Sequence, residues 1–162
     1  MLNNTTFKSL IAFSIVAFFS CNLEESTNTK SLIINNTSSK VRIVPYYQGA
    51  IVKEDSVKIN SNEKLKVLDK NERGKGTGFS YPLYLAFYDS VIVVFDNSIQ
   101  AIHYSYAVSG LSSNPTAIKH DSSRSLFNEA NYVRTITQEN KRSISNEYTF
   151  TFTAQDYLDA KK

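Results

Sequence analysis

Tyr81–Phe95 reads YPLYLAFYDSVIVVF, and its last five residues, Val91–Phe95, are all apolar. A short run of β-branched and aromatic side chains between Asp89-Ser90 and Asp96-Asn97-Ser98 predicts a strand covered on both faces, as in the centre of a sandwich. Phe79-Ser80-Tyr81-Pro82 reads as the start of a strand before it. Ala101–Val108 (AIHYSYAV) follows the Asp96-Asn97-Ser98 turn and is expected to pair back on Val91–Phe95.

The same grammar holds outward in both directions, with β-rich runs separated by Asn, Ser, Asp, Gly and Lys about every ten residues. Leu32–Ile34 and Val41–Tyr47 flank Asn35-Asn36-Thr37-Ser38-Ser39-Lys40, a turn-rich gap that predicts a first hairpin. Pro45 lacks a ladder donor, so its strand belongs near a sheet edge or a bulge. Val57 and Ile59 alternate with polar neighbours, as do Leu65 and Val67, and Asn60-Ser61-Asn62 joins the two half-buried strands. Tyr148, Phe150 and Phe152 fall on one face of a strand, with Thr149, Thr151 and Thr153 on the other. Thr153 with Asp156 three residues later predicts the N-terminus of a short helix, Ala154–Ala160. Asn128–Arg142 is compatible with helix or strand. Together these runs predict an all-β fold, an antiparallel β-sandwich of seven or eight strands with a short C-terminal helix; a partly closed barrel is the alternative.

Length and composition agree with one domain. The chain has 162 residues, 41% hydrophobic and 20% charged, which excludes a fully disordered chain or a multispan membrane protein. The formal charge of +3 comes from scattered residues, and no Lys/Arg run is long enough to follow a phosphate backbone, so nucleic acid is not an expected partner.

Residues 1–20 have the layout of a signal peptide: a polar start with Lys8, then the apolar Leu10–Phe19 (LIAFSIVAFF), ending at Ser20-Cys21. Ten helical residues rise about 15 Å, half of the roughly 30 Å needed to span a bilayer. Cys21 is the only cysteine and has no intrachain disulfide partner. Residues 21–31 read as a tether, because Asn22–Ser31 (NLEESTNTKS) is polar and aperiodic, and residues 32–162 as the single folded domain. Extended, the tether reaches at most about 35 Å.

Ala17-Phe18-Phe19-Ser20-Cys21 resembles a bacterial lipobox, in which a small residue precedes a cysteine that is lipidated and becomes N-terminal; Phe18 and Phe19 depart from the usual Leu and small residue. The looser pattern is similar to that of Bacteroidota, and Asn22-Leu23-Glu24-Glu25 to the acidic stretch that directs their lipoproteins to the cell surface. The Asn-Asn-Thr turn, the Asp-Ser-Val strand start and the closing Tyr-Thr-Phe-Thr-x-x-Asp-Tyr look like small flavobacterial lipoproteins. The resemblance implies a diacylglyceryl anchor on Cys21, export to the outer membrane with surface exposure, and no particular activity. Each buried acyl methylene is worth about 0.8 kcal/mol, so two or more chains hold firmly where one binds marginally. Asp55-Ser56-Val57 and Asp89-Ser90-Val91 resemble the Asp-Ser/Thr-aliphatic acceptor of O-glycosylation in Bacteroidota, which implies Ser56 and Ser90 as acceptors; the same tripeptide is good turn chemistry.

Candidate chemistry is sparse. Arg73–Gly78 (RGKGTG) has glycines and a lysine, but Lys75 precedes Gly76 and no helix follows, so it reads as a flexible loop tip rather than a phosphate cradle. His103 and His120 have no metal-ligand spacing, and His103 lies on a strand with one face in solvent. His120-Asp121-Ser122 holds triad residue types as neighbours, which point apart on a loop. Asp89 and Asp96 bracket the central strand at an odd offset, on opposite faces, and read as turn residues. No catalytic residue, metal or cofactor is implied. The aromatics available to face a ligand are Tyr46, Tyr47, Tyr84, Tyr88, Tyr104 and Tyr106. The expected role is a non-catalytic binding or structural module of the cell envelope, held to the membrane by its anchor and engaging a glycan or another envelope protein; an envelope hydrolase is the alternative.

Overall fold

The computed structural model describes residues 24–76, 78–109 and 117–162. Residues 1–20, read from sequence as a signal peptide, and Cys21 lie outside them. Two sheets face each other and do not close into a barrel. One is four-stranded, in the order β5 (Lys64–Arg73), β1 (Ser26–Asn35), β9 (Ser143–Phe152), β8 (Val133–Glu139). The other has β3 (Ala50–Ile51), β2 (Val41–Tyr47), β6 (Ser90–Phe95) and β7 (Ile99–Tyr104) in that order, with β4 (Val57–Ile59) also pairing β2. A single helical turn, α1 (Tyr106–Ser109), follows β7, and α2 (Ala154–Ala160) follows β9.

The core fills the space between the sheets. Val41, Ile43, Val91, Val93 and Phe95 meet Ile33, Tyr148, Phe150 and Phe152, all buried. The apolar run Val91–Phe95 is a central strand, flanked by β2 and β7, but the other sheet covers only its inner face: Ile92 and Val94 point outward instead of into a second covered layer. The Tyr148/Phe150/Phe152 alternation is inward-facing along β9. α2 begins at Thr153, whose N–H donates to Asp156 Oδ2 at 2.6 Å, closing the back-reaching half of a capping box. Asn128–Arg142 resolves into a 3₁₀ turn at Glu129–Asn131 and strand β8.

Several local expectations change. β1 and β2 do not form a hairpin; they lie in different sheets, and Asn35–Lys40 arches between them. The arch is organised by the fully buried Asn35, whose Nδ2 donates to Ser39 O at 2.8 Å and Asn60 O at 3.0 Å, while its Oδ1 accepts from Thr37 N–H and Oγ1. Pro45 sits inside its sheet, beside an interruption: β3 and β4 share one edge of β2 and are separated by a 3₁₀ turn at Lys53–Asp55. Pro45 O accepts from Val52 N–H at 2.9 Å, so the missing donor of Pro45 faces the break in that edge.

Pro82–Phe87 is a 3₁₀ helix rather than a strand, with proline at its first turn and Leu85 turned into the core. The last change concerns the tether. β1 begins at Ser26, six residues before Leu32, and pairs in parallel with β9, the one parallel pairing between named strands among the described residues. Its inward side chains there are hydroxyls, and the described residues of the glycine loop lie down on them: Thr27 Oγ1 donates to Gly74 O at 2.6 Å, Thr29 Oγ1 to Gly78 O at 2.7 Å, and Ser31 Oγ to Ser80 O at 3.2 Å. The glycine loop is therefore packed, not a free tip. Gly78 has φ +62°, and a Cβ there would stand 2.5 Å from both Thr27 Cγ2 and Thr29 Oγ1, so only glycine fits.

Candidate binding face

Strand alternation that sends Val41, Ile43, Val91 and Val93 inward sends the residues between them outward. On the outer face of the five-stranded sheet the register lines them up in rows. Arg42 lies opposite Val94, which lies opposite Gln100; Val44 opposite Ile92 and then Ile102; Tyr46 opposite Ser90 and then Tyr104. On the other side of β2, Arg42 faces Lys58 and Tyr46 faces Ile51.

This face is concave. The interrupted edge, from β3 through the 3₁₀ turn to β4, raises a wall beside the rows and leaves a groove of about 400 Å³. Its floor is aliphatic, made by Val44, Ile92 and Val94, and Lys53, Ser56 and Lys58 come from the wall. Val44 and Val94 are only 8% and 7% exposed although they point away from the core, because the wall and the long side chains beside them shade them. Tyr88 braces the wall from below: its hydroxyl donates to Asp55 Oδ2, and burial followed by the Asp55 carboxylate pushes the phenol up to about 12.

The charged side chains that line the groove are all cations, although Glu54 and Asp55 share the 3₁₀ turn of Lys53. Arg42 and Lys58 are exposed and directly opposite across the strand pair, a like-charge juxtaposition that costs stability, and Lys53 lines the same groove. Among the described residues none of the three takes part in an ion pair.

The aromatics fall into different places. Tyr46 lines the groove, and Tyr104 stands in the same row across Ser90. Tyr47 is exposed at the end of β2, and Tyr106, 82% exposed, stands edge-on to His120 at 5.5 Å. Tyr88 serves the wall, and the Tyr84 side chain lies outside the described residues. Ser56 is half-buried at the groove wall, and Ser90 is half-buried between two paired strands. Cys21 lies outside the described residues.

His103 is not on a solvent face. It points into the core at 2% exposure, and its Nδ1 accepts from Leu126 N–H at 3.2 Å. Burial holds the imidazole down to about 4, with Asp156 pulling upward and Arg124 adding to the depression. Those two form a partly buried pair: Arg124 Nε donates to Asp156 Oδ1 at 2.7 Å, and its terminal nitrogen reaches Oδ2 and Thr151 O. Asp89 and Asp96 bind turns: Asp89 Oδ2 accepts from Gln48 N–H at 2.6 Å, and Asp96 accepts from Ser39 Oγ and Lys40 N–H. Among the described residues no three His, Cys, Asp or Glu side chains are placed to hold a metal, and no helix is long and apolar enough to cross a membrane.

The basic groove escapes a sequence reading because Arg42, Lys53 and Lys58 look like scattered surface charge. The alternation of Arg42, Val44 and Tyr46 against Ile43 and Pro45 was the available signal, but only the register brings Arg42 and Lys58 together. No protein-family model, curated protein or solved structure matches this chain.

Proposed function

We propose that the protein is an envelope lipoprotein, exported by residues 1–20, anchored in the outer membrane through Cys21, and acting there as a non-catalytic binding module. Its ligand-engaging surface is the outer face of the five-stranded sheet. The observation that supports this reading is the groove itself, an aliphatic floor flanked by three cations that have no ion-pair partner among the described residues. A sheet face serving only as a solvated surface gains nothing from placing Arg42 opposite Lys58 beside a shaded apolar floor.

The test uses the full chain in cells. A photo-crosslinking side chain at position 92, on the groove floor, should capture an envelope component; one at position 149, outward on the four-stranded sheet, should not. Equal capture at both positions refutes the assignment of the face. Cys21→Ser should move the protein from the membrane to the soluble fraction, and palmitate labelling that persists in that variant refutes the anchor.

A further inference from the structure

We propose that the groove binds a single-chain anionic amphiphile of the fatty-acid class, with its carboxylate between Arg42 and Lys58 and its hydrocarbon chain along Val44, Ile92 and Val94. The inference rests on the binding-face reading above and names its ligand.

The head group follows from charge. Arg42 and Lys58 repel each other across the β2–β4 pair, and Lys53 adds a third positive charge to the same concavity. A carboxylate between them turns this repulsion into two charge-assisted contacts. Lys53 and Lys58 come from the wall and Arg42 stands opposite Lys58 on β2, so the anionic end is expected at that end of the groove.

The hydrocarbon body follows from the floor. Val44, Ile92 and Val94 offer no hydrogen bonds, and β2 and β6 are central strands whose backbone groups are engaged on both sides. A sugar or an extended peptide laid on this floor would lose hydrogen bonds to water without replacing them, whereas an acyl chain loses none. The aromatic rings that could stack on a sugar, Tyr46 and Tyr104, stand in the last row and not on the floor. About 400 Å³ is near the lower end for small-molecule sites, which fits one chain better than a two-chain phospholipid.

The experiment is calorimetric titration of the purified full chain with dodecanoate, decanoate, dodecyltrimethylammonium and an octaglutamate peptide, with the amphiphiles below their micellar concentrations. Dodecanoate should bind, and decanoate should bind more weakly by up to about fifteenfold, since each buried methylene contributes roughly fourfold. Arg42→Gln/Lys58→Gln should weaken dodecanoate at least tenfold with an unchanged melting temperature or a raised one. Dodecyltrimethylammonium binding as tightly as dodecanoate, or dodecanoate binding unaltered by the double substitution, overturns the proposal. Octaglutamate binding that the double substitution abolishes, with no dodecanoate binding, overturns the fatty-acid class while leaving the face as a binding site. Equal crosslinking at positions 92 and 149 would instead remove the face itself.

Discussion

Lowering the pH from 7.5 to 5 should cost the folded domain about 2 kcal/mol through one side chain, His103. In the folded state its imidazole is held down to about 4 from an ordinary 6.5, because the ring is buried beside the core and its Nδ1 is committed as an acceptor to Leu126 N–H. The unfolded chain takes up this proton near 6.5, while the folded chain refuses it until about 4. The stability from a neutral His103 is therefore complete above 6.5, declines as the pH falls, and is fully lost below 4. Linkage over that window gives about 3 kcal/mol in all and about 2 kcal/mol by pH 5. Asp69, Glu139 and Asp159 are held below their usual values by Lys66, Lys75 and Lys162, so their losses come at lower pH. Urea unfolding at pH 7.5, 6.5, 5.5 and 5.0 measures the effect against His103→Asn, whose Oδ1 can still accept from Leu126 N–H. The variant should start less stable and lose much less than the wild type over this range. Parallel curves for the two proteins would show that His103 is solvated or protonated in the fold, and the argument from burial would fail.

Val93→Asp places a carboxylate at a fully buried position of β6 facing the opposite sheet, and should destabilise by several kcal/mol; an unchanged melting temperature would mean that the sheet order is wrong. Gly78→Ala combines a positive φ with a Cβ overlap on Thr27 and Thr29, and should cost about 2–3 kcal/mol in chemical denaturation; a cost below about 0.5 kcal/mol would mean that the glycine loop does not pack on β1. Arg42→Gln/Lys58→Gln, which removes a like-charge cross-strand pair, should leave stability unchanged or raise it by up to about 1 kcal/mol; a clear loss would show that the pair has counter-charges in the fold.

The elements that sequence identified are those whose cause is local. Val91–Phe95 needed only hydrophobicity, Tyr148–Phe152 only the period of two, and α2 only Thr153 with Asp156. The misreadings occur where a partner distant in sequence supplies the cause. Ser26–Ser31 has no apolar period, so it reads as a tether; it is a strand because its backbone pairs with β5 and β9, and loop carbonyls at Gly74, Gly78 and Ser80 accept from its hydroxyls. The Asn35–Lys40 segment contains turn residues, but nothing local says whether the turn stays in one sheet or crosses to the other. His103 looks half-exposed by strand logic, and is buried because Leu126 and its neighbours cover it. For the candidate site, sequence supplied Tyr46, Ser56, Ser90 and Tyr104 as separate suggestions; register is what assembles Tyr46, Ser90 and Tyr104 into one row and adds the cations.

The pairing of β1 with β9 carries a kinetic consequence. The first and last strands lie side by side at the centre of the four-stranded sheet, matched from Ser26 with Ser143 to Asn35 with Phe152. A chain emerging from the ribosome cannot complete that sheet until nearly its whole length is available, and the pairing closes a loop that contains the entire second sheet. Such high contact order makes folding slow and late, with β1 and β5 waiting for their central partner. A chain that stays open until its last strand arrives is also one that can be threaded through a narrow translocation channel before it folds.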